Sequence, residues 1–420
     1  MNDTKEIAEK EEETPVQKMK AVVLKQLDFS QEKTDEEIYQ TIDEVIWQNE
    51  TYRTLPVSEK IQLQKDVFNS LRRLDVLQEL VENKSITEIM INGPKDIFVE
   101  EKGRIRRWTK QFESKEKLED VVQQMVSKAN RVVNEASPIV DTRLMDGSRV
   151  NVVLPPVALN GPIITIRKFP EKAMDMEQLL NIGSISKEAA QFLEKLVRAR
   201  MNIFISGGTG SGKTTFLNIL SNYIPQDERI ITIEDSAELQ IKNIPNLVKL
   251  ETRNANVEGK NEITIRDLIK SALRMRPDRI VVGEVRDAAA IDMLTALNTG
   301  HDGSLSTGHA NSPEDMLSRL ETLVLMGGMD MPMVAVRQQI ASAIEIIVHL
   351  GRLRDKTRKV LKIVEVLGME QGEIQTRTLY EFVEEGETED GTVIGSLQPT
   401  GQALLQTEKL LRAGISITNS

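Results

Sequence analysis

Eight consecutive residues, Gly207-Gly208-Thr209-Gly210-Ser211-Gly212-Lys213-Thr214, could cradle a chain of phosphates. They fit the pattern G-x-x-x-x-G-K-[ST]. Glycines let backbone N–H groups turn inward around phosphate oxygens, and a helix N-terminus adds partial positive charge at the same place. Lys213 can reach the β- and γ-phosphates, and the Thr214 hydroxyl can ligate Mg²⁺, with Thr215 closing the binding segment. Context separates such a loop from a flexible Gly/Ser turn. Met201–Ser206 reads as a short buried strand, and Thr215–Tyr223 places apolar residues at helical spacing. Strand, glycine loop and helix occur in the required order.

A phosphate cradle becomes a catalytic site when carboxylates stand near the metal and the attacking water. Two clusters follow the loop. Ile230-Ile-Thr-Ile-Glu-Asp235 ends an apolar strand in Glu234 and Asp235, with Glu238 nearby. In Asp278-Arg-Ile-Val-Val-Gly-Glu-Val-Arg-Asp287, the strand Ile280–Val282 delivers Glu284 at its C-terminal end. Ligands of open α/β sheets collect at such ends. Two of the chain's three histidines, His301 and His309, lie in the Gly/Ser/Thr-rich run Thr299–Asn311. Imidazole can hydrogen-bond a γ-phosphate oxygen and report its loss. A metal held by the pair is the alternative, although the further ligands of a structural zinc site are missing nearby.

The elements that must position these groups divide the chain. Residues 1–18 are charged and read as a disordered tail. Residues 19–80 form a helical segment, and 81–169 an α/β domain. Its strands are expected at Thr87–Asn92, Asp96–Glu100 and Arg104–Trp108, its helix at Ser114–Val133. A linker at 170–185 leads to a second α/β domain, 186–383. Strands are expected there at Asn202–Ser206, Ile230–Ile233, Leu247–Leu250, Arg279–Val282 and Gly303–Thr307, with a terminal hairpin of Ile344–Leu350 and Val360–Leu367. Residues 384–420 read as a loosely attached tail.

Composition removes other classes. The 420 residues carry a net charge of −11 and only 4% aromatics, which argues against a nucleic-acid-coating surface or a base-stacking platform. There is no cysteine, hence no disulfide and no cysteine-ligated zinc. The N-terminus is no signal peptide, and no run reaches the roughly 18 apolar residues of a membrane span. A soluble cytoplasmic protein is expected.

Together the loop Gly207–Thr214, the acidic box Ile233–Leu239, the segment Arg279–Asp287 and the histidine box Thr299–Asn311 resemble the secretion traffic ATPases of type II secretion, type IV pili and type IV secretion. The eight-residue step from His301 to His309 looks like the Tad/Flp pilus and type IV secretion branch. So do Leu268–Glu284, Asp141–Asn151 and Ile166–Phe169. The resemblance covers roughly residues 75 to 370. It implies a PAS-like or α/β N-terminal domain, a RecA-like P-loop ATPase domain and a homo-hexameric ring using ATP and Mg²⁺. By position, Glu284 matches the glutamate that polarises water. Glu234 and Glu238 match the acidic box, and His309 and His301 the phosphate-contacting histidines. Arg143, Arg149 and Arg167 match N-domain arginines that touch phosphates. Arg253, Arg276 and Arg286 are similar candidates for intersubunit contacts. Such a ring would dock on an inner-membrane platform protein, peripheral to the membrane, without stable nucleic-acid binding. A RecA-like nucleic-acid translocase, a non-hydrolysing scaffold and a pilus retraction motor are the rival readings.

Overall fold

A computed structural model describes residues 14–27, 33–101, 103–129, 131–169, 174–253, 255, 260–328 and 331–416. The chain forms two compact units, Met1–Pro170 and Glu171–Ser420. Most of the expected 1–18 tail, and residues 170–173 of the expected linker, lie outside the described residues.

The first unit begins with helices Pro15–Gln26, Asp35–Gln48 and Val57–Arg72. Helix already starts at Pro15, inside the stretch expected to be a tail. The side chain of Thr14 caps the N–H of Gln17, and Gln17 caps Thr14 in return. Met19, Val23, Ile42, Val67 and Phe68 form the core of this bundle. Six strands follow: β1 Ile86–Asn92, β2 Ile97–Glu101, β3 Arg104–Arg107, β4 Ile139–Arg143, β5 Arg149–Val153 and β6 Ile163–Arg167. They make an antiparallel sheet in the order β3-β2-β1-β6-β5-β4. Ile89, Ile91, Val150, Val152, Ile164 and Ile166 alternate onto one face and pack with Leu118, Val122 and Met125 of helix Lys115–Lys128.

The second unit holds β7 Ile203–Gly207, β8 Ile230–Glu234, β9 Leu247–Glu251, β10 Arg279–Val282, β11 Leu305–His309, β12 Ile346–Arg352, β13 Arg358–Glu370, β14 Glu373–Glu387 and β15 Val393–Pro399. The sheet order is β15-β14-β13-β12-β7-β11-β10-β8-β9. The run from β12 to β9 is parallel, and β13 to β15 continue it as antiparallel hairpins. Helices cover both faces. One layer contains Leu193, Leu196, Phe216 and Leu220, the other Leu294, Met316, Leu320 and Ile340.

Two differences from the sequence reading have clear causes. β11 starts at Leu305 instead of Gly303 because Gly303 takes φ +83 and the Ser304 hydroxyl is engaged in the turn, donating to His301 O and accepting from Ile280 N. Residues past 384 are no loose tail. β15 buries Val393 and Leu397, and Leu410 enters the same core as Leu379 and Tyr380. The fully buried carboxylate of Glu365 accepts hydrogen bonds from the backbone N–H groups of Leu405 and Gln406.

Candidate active site

The parallel strands bring their C-terminal ends to one edge. His309 is in register with Gly207, and Val282 with Ile233. Gly207, Glu234, Glu284 and His309 therefore share that edge. The loop leaves β7 with Gly207 at φ +155, where a Cβ would stand 2.4 Å from Leu350 O and 2.6 Å from Ser211 Oγ. Gly210 at φ +72 and Gly212 at φ +95 continue in conformations that L side chains rarely adopt. Gly212 opens helix Lys213–Ser221, so Thr214 and Thr215 lie in its first turn. Gly208, Thr209 and Gly210 form an exposed crest, while Ser211 and Lys213 are buried.

Lys213 Nζ donates to Gly208 O at 3.1 Å and stands 3.2 Å from His309 Nδ1. His309 Nε2 is 3.0 Å from Glu284 Oε1, an ion-pair approach without hydrogen-bond alignment. Glu284 Oε2 accepts from Arg286 at 2.7 Å, and Arg286 also faces Asp235 at 3.6 Å. Burial alone would raise the Glu284 pKa; the bond from Arg286 and the charges of Arg286, His309 and Lys213 outweigh it and hold it below the usual carboxylate range. Burial pushes the His309 pKa down, with Lys213, Arg286 and Arg319 adding to the fall and Glu284 opposing it.

Glu234 is set up differently. It is 2% exposed. Its Oε2 accepts from the N–H groups of Glu238 at 2.7 Å and Leu239 at 2.9 Å. Burial raises its pKa against those two bonds, with Glu238 adding to the rise. Two carboxylates on one edge are thus driven in opposite directions, the arrangement by which acid–base roles are divided. Buried Glu234 Oε1 and Ser211 Oγ have no hydrogen-bond partner. A glycine cradle, a buried lysine and unpartnered polar atoms at one edge fit a phosphate chain with its metal.

Not every expected residue joins this cluster. His301 Nδ1 lies 3.0 Å from Ala296 O, beside the end of helix Ala289–Asn298. It precedes β11, which alone spans about 13 Å, so it sits toward the opposite edge and cannot share a metal with His309. Arg253 follows β9 and donates to Asn261 O. Arg276 has φ +56 in the turn before β10. Arg286, expected at a subunit boundary, pairs inside its own site. In the first unit, Arg143 pairs in register with Arg149, and Arg149 with Arg167, giving three arginines in one row across β4, β5 and β6.

Sequence reading missed His349, which sits on β12 behind the loop with Nδ1 2.9 Å from Ser206 Oγ. It also passed over Arg358, whose Nε donates to Gly210 O at 2.7 Å. Arg358 lies 148 positions from Gly210, beyond any local pattern.

Residues 71–394 match the family described as type II/IV secretion system protein. The chain belongs to this family. A putative conjugal transfer protein of Mycobacterium tuberculosis is 37% identical over 328 residues, covering 77% of this chain and 92% of that one. The type IV secretion system protein VirB11 of Bartonella quintana is 31% identical, over 70% of this chain and 92% of its own length. The conjugal transfer protein TrbB of Rhizobium radiobacter is 31% identical over 72% and 90%. In fold, the X-ray structure of the Yersinia pseudotuberculosis ATPase DotB aligns with a TM-score of 0.51 at 18% identity, covering 71% of this chain and 79% of that one. The family makes this chain an ATPase of the type II/IV secretion kind. The glycine loop and the parallel strands that carry it lie in the second unit. Among the described residues, no helix of this secretion ATPase is long and apolar enough to cross a membrane.

Proposed function

We propose that this ATPase powers assembly of a Tad/Flp-type pilus, or a related type IV secretion step, as a homo-hexameric ring at the cytoplasmic face of the inner membrane, docked on a membrane platform protein. The observation that carries the catalytic part is the Lys213–His309–Glu284–Arg286 chain of contacts at the mouth of the glycine loop. Support for the pilus branch comes from sequence alone, in the His301-to-His309 spacing and the runs Asp141–Asn151 and Leu268–Glu284.

In this reading the loop amides and Lys213 hold the β- and γ-phosphates of ATP, and Thr214 ligates Mg²⁺. The ion held there would supply positive charge against the phosphates. Glu284, kept ionised, orients and deprotonates the attacking water. Glu234, held closer to protonation, assists at water or metal together with Glu238. His309 exchanges its contact with Lys213 and Glu284 for one with the γ-phosphate. Arg143, Arg149 and Arg167, aligned in adjacent register on β4, β5 and β6, supply further phosphate contacts. Loss of the γ-phosphate removes one partner of these contacts, and differential affinity of two conformations for ATP supplies the work.

The test is stimulation of ATP turnover by purified full-length chain. Vesicles bearing a Tad/Flp-type membrane platform protein should raise the rate, and DNA or RNA should leave it unchanged. Stimulation by nucleic acid instead would install the translocase reading. Native mass spectrometry with ATP should give six copies.

A further inference from the structure

A buried lysine outside the catalytic cluster has an unusual occupation. Lys359, second residue of β13, is 9% exposed. Its ammonium donates to Ile182 O at 3.1 Å and Gly183 O at 2.7 Å. Burial lowers its pKa, with Asp355 opposing. These carbonyls end the short helix Met176–Asn181, where Gly183 at φ +63 turns the chain out. A cation at orphaned helix-end carbonyls satisfies them and meets the negative end of the helix. The same stretch is tied twice more to β13: the Ser184 hydroxyl donates to Arg358 O at 2.7 Å, and Val360 N–H donates to Ser184 O at 2.8 Å.

The residue before Lys359 reaches the phosphate loop. Arg358 Nε donates to Gly210 O at 2.7 Å. A Cβ built on Gly212 would lie 3.6 Å from Arg358 Cδ, so the side-chain stem lies over the loop. Gly208 O is held by Lys213 and Gly210 O by Arg358. Two cations thus fix two carbonyls of the glycine loop. Lys213 is needed at the phosphates; Arg358 is free to stay.

We propose that Arg358 is a positioning residue for the nucleotide, acting through Gly210, and that the pair Arg358–Lys359 couples occupancy of the phosphate loop to residues 176–184, where the second unit begins. Arg358 pins the crest in its binding shape and adds positive potential beside it. Lys359, on the same strand end, anchors the entering chain. Any shift of the loop on binding or releasing phosphate moves the start of β13, and that start carries residues 182–184 with it. The inference rests on the loop binding nucleotide, as proposed above.

The experiment uses full-length chain and ADP as the probe, with Kd from calorimetry and backbone hydrogen exchange over 176–185 and 358–362. Wild type should bind ADP and show slower exchange at 182–184 with it. Arg358→Leu removes the donor and the charge from an exposed position and should raise Kd about tenfold, the loss of one charge-assisted hydrogen bond. It should also abolish the ADP-dependent slowing at saturating ADP. Arg358→Gln places an uncharged N–H at the same distance along the side chain, so it should keep Kd within about threefold and retain the slowing. Lys359→Met should speed exchange at 182–184 with or without ADP and leave Kd within about twofold, since it makes no loop contact. An Arg358→Leu chain with wild-type Kd and wild-type slowing overturns the inference, as does exchange at 182–184 that ignores ADP in wild type. If wild type and Lys213→Ala both fail to bind ADP, the nucleotide reading itself falls. If only Lys213→Ala fails while Arg358→Leu matches wild type, this inference alone falls.

Discussion

His309 stands between Lys213 and Glu284, with Nδ1 3.2 Å from the ammonium and Nε2 3.0 Å from the carboxylate. One imidazole thereby touches both the cation proposed to hold phosphate and the carboxylate proposed to activate water. Glu284→Gln keeps the shape of that contact and removes the base. ATP binding should persist within a few-fold, while kcat falls by about 10² to 10⁴, the usual range for a lost general base. Rapid-quench turnover alongside nucleotide binding checks it; wild-type kcat in the variant would strip Glu284 of the role.

The same contact sets a pH dependence. His309 has its folded pKa below the ordinary histidine value of 6.5. A group depressed in this way binds its proton more weakly in the folded chain than in the unfolded one. Its contribution to stability is complete above pH 6.5 and is lost as pH falls through the lowered value. Protonation would also put a third cation beside Lys213 and Arg286. The acid limb of kcat/KM should therefore lie below pH 6.5, and His309→Asn should remove it. Protonation of ATP itself acts on both chains alike, so the difference between their profiles is the readout.

Arg279 opens β10, the strand that carries Glu284, yet it works at the other end of the sheet. It is fully buried and grips Glu228 at two points, Nε to Oε2 at 2.5 Å and Nη2 to Oε1 at 2.7 Å, with Nη1 donating to Val197 O at 2.6 Å. Arg279→Met leaves a carboxylate with little water and no partner and should cost about 3–5 kcal/mol. Arg279→Lys should not rescue it, because one ammonium cannot reproduce the fork. Arg279→Met with Glu228→Leu should regain at least half of the loss. Urea unfolding of the three variants gives the comparison.

The three arginines of β4, β5 and β6 separate a surface role from a functional one. Arg149→Gln and Arg167→Gln change partly or fully exposed positions and should move the stability of the first unit by no more than about 0.5 kcal/mol. Their KM for ATP should nevertheless rise by about tenfold if each loses a charge-assisted phosphate contact. Unchanged KM in both would leave the row without a phosphate role.

The loop and both carboxylate strands were legible because each is local: a glycine pattern between a strand and a helix, and an apolar run ending in acid. Glu234 and Glu284 could be named from sequence for that reason, but their opposite electrostatic settings could not. Those depend on how deeply each carboxylate is buried and on how the nearby Leu239 N–H and Arg286 are turned toward it, which only the folded backbone sets. His301 and His309 were indistinguishable in composition; strand direction alone sends them to opposite ends of β11. Arg358 and His349 carried no signal, since their partners Gly210 and Ser206 are more than a hundred positions away. The acidic run Glu384-Glu-Gly-Glu-Thr-Glu-Asp-Gly391 masked a strand. Charges there face solvent, and Glu384 and Glu387 pair with Arg354, while Val393 and Leu397 beyond them face the core.

That misread segment yields a stability test. Ending the chain at Val383 removes β15, the buried Val393, Leu397 and Leu410, and the two backbone donors that satisfy Glu365. Three buried aliphatic side chains at about 1.5–3 kcal/mol each already approach the whole stability of a typical domain. A buried carboxylate stripped of its donors adds to the loss. The truncated ATPase domain should unfold at markedly lower temperature or fail to accumulate in soluble form. Adding Glu365→Gln to the truncation should return part of the lost stability, because a neutral amide costs less than an unpartnered charge in the same place. A truncated chain that melts like the full one, with Glu365→Gln making no difference, would mean that residues 384–416 contribute nothing to the fold they extend.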